Sequence, residues 1–120
     1  MGLDGLAEYL KQRLGLNATP VGDGLEIVLR AKSAETYDRP VERRYPSRVD
    51  WCTGKVDVIQ EIEAEDGTKV GVGSGCEGRA VLIEKTDGGV KKTVALNLGS
   101  AEISTRFMGD GEVKIIIEEK

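Results

Sequence analysis

Histidine is absent from this 120-residue chain. That absence removes the commonest general acid–base and the commonest metal ligand together. Cysteine is nearly as scarce, with only Cys52 and Cys76. Without a histidine neither can belong to a Cys–His nucleophile. A tetrahedral zinc site would need carboxylates or a second subunit to complete it. Long apolar runs are missing as well. None approaches the roughly eighteen residues that cross a bilayer as a helix. The start of the chain lacks a basic segment followed by a long apolar one, because Asp4 and Glu8 interrupt it. Together these features lead to the expectation of a cytoplasmic protein with no membrane contact and no bound cofactor.

Charge is plentiful but weighted to one sign, with a formal net of −4. An acidic balance argues against wholesale nucleic-acid binding and leaves room for a local basic patch. The length suits one domain, residues 1–120, able to bury about two-thirds of the surface its unfolded form exposes. No internal repeat is evident.

Near the N-terminus, Leu3, Leu6, Ala7, Leu10 and Leu14 form one stripe at helical spacing, which predicts a helix over about 3–14. Acidic Asp4 at its start and basic Lys11 and Arg13 at its end suit the macrodipole, and Gly15 is placed to cap it. Asn17 to Gly24 reads as a connection carrying Pro20 and Gly22-Asp23-Gly24, and Leu25 to Ala31 as the first strand. From Lys55 to Glu118 short alternating segments are punctuated by Asp66-Gly67, Gly71 to Gly78, Asp87-Gly88-Gly89, Gly99-Ser100 and Gly109-Asp110-Gly111. That is the signature of an antiparallel meander. The predicted fold is α+β: a helix packed on a mostly antiparallel, meander-like sheet of about six or seven strands.

Three strand segments are apolar at consecutive positions: Ile27 to Leu29, Ala80 to Ile83 and Ile115 to Ile117. Strands with water on one side alternate, so these ask for cover on both faces. One short helix cannot supply it all. The expectation is a curled or doubled sheet, or a second face buried in a partner, and a homodimer is the favoured form.

The stretch of about 32–51 breaks the alternating pattern and reads as an irregular arm. Arg39, Arg43, Arg44 and Arg48 crowd together there with Tyr37, Tyr45 and Trp51. Guanidinium groups interleaved with rings can contact phosphates or other anions and stack on planar groups. Glu35, Asp38, Glu42 and Asp50 neutralise much of that charge, and pairing with these neighbours, or with the acidic face at Glu61, Glu63 and Glu65 of a partner, is the plainer alternative. Arg39, Arg43, Arg44, Tyr45, Arg48 and Trp51 are the candidate contacts for an anionic ligand or protein partner.

Two further motifs compete. Cys52 and Cys76 fall at the same end of an expected hairpin, where a disulfide or two-thiol redox site is conceivable, as is a pair of inert thiols. Gly73, Gly75 and Gly78 match Gly-x-Gly-x-x-Gly, but no helix pattern follows and no acid stands where a ribose would need it. Bulge and turn chemistry explains those glycines better. The reading favoured by the sequence is a small, non-enzymatic, homodimeric binding or structural protein using the 32–51 arm, with a Cys52–Cys76 redox or metal protein as the alternative.

Overall fold

The computed structural model describes residues 4–46 and 54–119. One helix, α1 (Asp4–Leu14), precedes eight strands: β1 (Asn17–Val21), β2 (Gly24–Arg44), β3 (Lys55–Ala64), β4 (Lys69–Gly75), β5 (Gly78–Asp87), β6 (Val90–Gly99), β7 (Glu102–Phe107) and β8 (Glu112–Glu118). The architecture is α+β with a helix packed on antiparallel sheet, as the sequence predicts. The hydrogen-bonded strand order is β6-β5-β4-β3-β2-β8-β7, with β1 also paired to β2. The chain divides into two compact units. The first comprises residues 1–31 and 100–120, the second Lys32–Gly99. Strand β2 serves both, its first eight residues in one and the remainder in the other.

In the first unit α1 buries Ala7, Leu10 and Leu14. Gly15 ends the helix in the left-handed region (φ 65°), and its N–H donates to the Lys11 carbonyl at 2.9 Å. The buried sheet face is a ladder of matched apolar pairs, Leu25 with Ile117, Ile27 with Ile115 and Leu29 with Val113. Ala18 of β1 extends it beside Ile27. Each such side chain contributes roughly 1.5–3 kcal/mol by leaving water. On the opposite face Val28 and Ile116 are only half-buried, and Lys114 reaches Glu26 at 3.8 Å. Consecutive apolar residues therefore mark partial cover here, short of the two closed faces expected.

Strand β1 corrects the reading of 17–24 as a connection. Pro20 argued against a strand, yet β1 pairs only with β2, and an outer strand has no second ladder for a proline to interrupt.

The second unit is a true meander, β3-β4-β5-β6, flanked by the distal half of β2. Strand β5 is buried on both faces at Ala80, Val81, Leu82 and Ile83, as its unbroken apolar run requires. On one face Ala80 and Leu82 pack with Val56 and Val58, and Tyr37, Tyr45 and Ala95 close over them. That cover comes from within the chain, so this strand needs no partner subunit to hide it. Past Gly99 the meander stops, because β7 and β8 pair with each other and β8 with β2.

The stretch from Lys32 to Arg44 is regular strand, which corrects its reading as an irregular arm. Apolar alternation is missing because this half of β2 is mostly exposed. A subtler alternation is present: Tyr37, Val41 and Tyr45 are half-buried while the residues between them are mostly exposed.

Candidate functional site

Strand β3 sets the geometry of the site. Between Val58 and Gln60 its register against β4 shifts by one residue, a bulge centred on Ile59, which is 41% exposed. Val58 pairs with Gly73 and Glu61 with Gly71, so Val58 and Glu61 share a face despite their odd spacing. Strict alternation along β3 would set Glu61, with Glu63 and Glu65, on the face opposite Val58. The bulge instead carries Glu61 onto the face where Tyr37 and Tyr45 lie over Val56 and Val58.

Glu61 there receives three hydrogen bonds. Arg43 donates as a fork, Nε to Oε2 and Nη2 to Oε1, both at 2.8 Å. The Tyr37 hydroxyl donates to Oε1 at 2.5 Å. A planar guanidinium on a carboxylate is the strongest geometry such a pair can adopt. The Arg43 fork holds the Glu61 carboxyl below its ordinary value, with Tyr37 and the charge of Lys69 adding to the effect against partial burial. Arg43 is correspondingly held protonated, and Tyr37 is pushed above its ordinary value, first by its bond to Glu61.

Two adjoining clefts open beside this cluster. One, of about 260 Å³, is lined by Arg43, Glu61, Lys69, Gly71, Leu82 and Glu84. The other, of about 320 Å³, extends past Ser33, Glu35 and Tyr37. Gly71 contributes no side chain to the first, so Leu82 shows through as an apolar floor. The charged rim is largely self-compensated: Arg43 is spent on Glu61, and Glu84 takes Lys91 at 3.2 Å. Among the described residues Lys69 has no ion-pair partner within bonding distance.

Of the residues singled out from sequence, Arg43 and Tyr45 are brought to this face, Arg43 on the cleft and Tyr45 in the packed layer. Arg44 pairs with Glu42 at 2.9 Å, and Glu42 with Lys55 at 3.5 Å, away from the cluster. Arg39 is exposed and lines neither cleft. Arg48, Trp51 and Cys52 lie outside the described residues. Cys76 is exposed in the turn between β4 and β5, with its Sγ 3.8 Å from the Asn97 Oδ1. The described residues contain no group of three His, Cys, Asp or Glu side chains that could hold a metal.

The glycine motif is turn chemistry. Gly75 pairs with Gly78 across Cys76 and Glu77, β5 follows directly, and Gly78 adopts φ 86°. With no helix after it, there is no N-terminus to receive a pyrophosphate.

Lys69 and Glu84 escaped the sequence reading altogether. Each looks like an ordinary outward residue on its strand, and only the register, which sets Lys69 opposite Glu84, places both on the cleft. Glu61 was visible as a possible partner for an arginine, although in the same chain only the bulge makes the pair. Comparison with known protein families, curated proteins and solved structures gives no match.

Proposed function

We propose that this is a non-enzymatic binding protein whose second unit receives an anionic group at Lys69. The ligand lies in the cleft between the distal half of β2 and the glycine-floored face of β4 and β5. One observation supports the reading: among the described residues the other charges lining the first cleft are ion-paired, whereas Lys69, which acts on Glu61 through space and stands across the ladder from Glu63 and Glu84, forms no ion pair of its own. The Arg43–Glu61–Tyr37 cluster acts as a preset wall. Its groups are already bonded, so little conformational entropy is lost there on binding. Leu82 offers apolar contact beneath. The fitting ligand class is a small monoanion with a compact apolar body. Glu35, on the far side of Tyr37, disfavours a second negative charge in the adjoining cleft.

The reading keeps the arm as the binding element but moves the ligand-facing charge off its arginines. Titrating the protein with benzoate, followed by amide shifts in a nitrogen-15 spectrum, tests it. Shifts are expected at Lys69, Gly71 and Leu82, weakening as salt rises. Lys69→Met is expected to abolish them. Arg43→Ala is expected to weaken them by exposing the Glu61 carboxylate to the ligand, whereas Arg44→Ala leaves them unchanged. No shift at these amides at millimolar benzoate, or shifts indifferent to Lys69→Met, rules the reading out.

A further inference from the structure

Aspartate followed directly by glycine occurs five times in the chain, at Asp4, Asp23, Asp66, Asp87 and Asp110. In such a pair the glycine amide nitrogen can attack the aspartyl side chain, because glycine offers no steric obstruction and its backbone rotates freely. Ring closure needs an acid group that is not held, an amide that is not already donating, and a backbone able to swing its nitrogen over Cγ. Exposure does not separate the five pairs, since Asp23, Asp66, Asp87 and Asp110 are all exposed. Hydrogen bonding and packing do.

At Asp66 both reacting groups are occupied. Its Oδ1 accepts the Thr68 N–H at 3.0 Å, and the Gly67 N–H donates to the Ala64 carbonyl at 3.0 Å. The Thr68 bond also holds the Asp66 carboxyl below its ordinary value, which makes the reactive acid form scarcer. Asp110 repeats the pattern. Its Oδ1 accepts the Glu112 N–H at 3.1 Å, and the Gly111 N–H donates to the Met108 carbonyl at 3.3 Å. Asp23 is protected through its glycine. Gly24 closes the β1–β2 hairpin opposite Val21 and is buried, and a Cβ there would lie 2.3 Å from the Ile117 carbonyl oxygen. A backbone packed that closely has no room to swing. Asp4 and Gly5 belong to α1, where the helical backbone fixes the intervening peptide.

Asp87 differs on every count. It ends β5 opposite Val90, so Gly88 is the first residue of a two-residue turn and stands outside the ladder. Among the described residues the Asp87 carboxylate has no hydrogen-bond or ion-pair partner, and the Gly88 N–H donates to no carbonyl. No atom lies within 4 Å of where a Cβ on Gly88 or Gly89 would stand, so the turn can move without displacing a neighbour.

We propose that Asp87 is the position at which the folded protein forms isoaspartate. The Gly88 nitrogen bonds to Asp87 Cγ, and the hydroxyl of the acid leaves with the amide proton as water, giving a five-membered succinimide. Water then adds back to the ring. Opening at the Asp87 α-carbonyl leaves the chain running through Cγ, one methylene longer, whereas opening at Cγ restores aspartate. Nothing is oxidised or reduced, and the net change is an isomerisation. The longer link falls on the closing pair of a hairpin whose turn uses two glycines at positive φ, so the register of Asp87 with Val90 is the first to be lost.

Peptide mapping by electron-transfer fragmentation, whose ions distinguish the two linkages, tests this on protein incubated at neutral pH and body temperature. Isoaspartate is expected to accumulate at Asp87 about tenfold faster than at Asp66 or Asp110, where two hydrogen bonds must open first. In concentrated guanidinium those bonds are gone, and the rates at all five pairs should converge. Asp87→Glu keeps the charge but would have to close a six-membered ring. It should remove most of the isoaspartate from the folded protein and leave the other four pairs unchanged in the unfolded one. No isoaspartate at Asp87 in the folded protein, equal or faster accumulation at any other pair, or an unaltered yield in Asp87→Glu overturns the inference.

Discussion

Glu61 accepts a guanidinium fork and a phenol from two positions six residues apart on β2, and its carboxyl titrates below its ordinary 4.5 as a result. A depressed carboxylate stabilises the fold above the unfolded-state value, and that stabilisation is lost as pH falls through the lower folded value. Wild-type protein should therefore lose stability to acid below pH 4.5 more steeply than Glu61→Gln, as read by urea midpoints across a pH series. The Arg43 side chain is 43% exposed, so screening limits the difference at neutral pH to about 0.5–1 kcal/mol. Tyr37 carries the opposite sign. Its ionisation is raised above 10.0, so the contribution of its neutral form is complete below that value and disappears as pH rises through the folded one. Tyr37→Phe should flatten the alkaline limb of the stability profile while leaving the acid limb governed by the Arg43–Glu61 pair. At this scale the sequence singled out Arg43 and Tyr37 as members of one arginine- and tyrosine-rich stretch, and both bond the Glu61 carboxylate. It could not name Lys69, because a lysine on an exposed strand position carries no mark of what stands across the ladder from it.

Strands and turns were largely legible because their signals are local. Asp87-Gly88-Gly89-Val90 announces a two-residue hairpin, and Gly88 and Gly89 both adopt positive φ, as that turn requires. The bulge at Ile59 was not legible. Val56, Val58, Ile62 and Ala64 keep the same spacing with or without it, and all four are buried either way. What reveals it is the partner strand. A Cβ on Gly73 would lie 1.8 Å from the Asp57 carbonyl oxygen and 2.9 Å from the Val58 Cα, so β3 presses its backbone onto β4 just where the extra residue bends it. Gly73→Ala should destabilise by about 3 kcal/mol or more, since backbone cannot step aside as a side chain can. At Gly71 the nearest atoms are the Val58 methyls at 3.1 and 3.3 Å, and Gly71→Ala should cost visibly less in the same denaturation assay. In the first unit Leu10→Ala, at a fully buried position, should cost about 2–5 kcal/mol.

For the molecule as a whole, apolar periodicity and turn signals anticipated the fold class and the strand-rich meander, but not where the meander ends. Nothing in the residues of Gly99-Ser100-Ala101 distinguishes a turn between neighbours from a passage to a strand elsewhere in the strand order; the preference of β8 for β2 is a matter of matching Leu25, Ile27 and Leu29 to Ile117, Ile115 and Val113. Such long-range complementarity is set by three-dimensional packing that no local window contains. It also puts the chain's two units in different positions during synthesis. The second is continuous, Lys32–Gly99, whereas the first is assembled from both ends of the sequence. On a ribosome, Leu25 and Ile27 emerge long before Ile115 and Ile117, so the proximal half of β2 must wait for β8. Hairpins β4–β5 and β5–β6 have no such delay, because their pairings are local and close quickly. A nascent chain arrested with Gly99 just clear of the exit tunnel should protect the amides of β4 and β5 from exchange while those of Leu25 and Ile27 still exchange freely, and release of the remaining residues should bring the two into step.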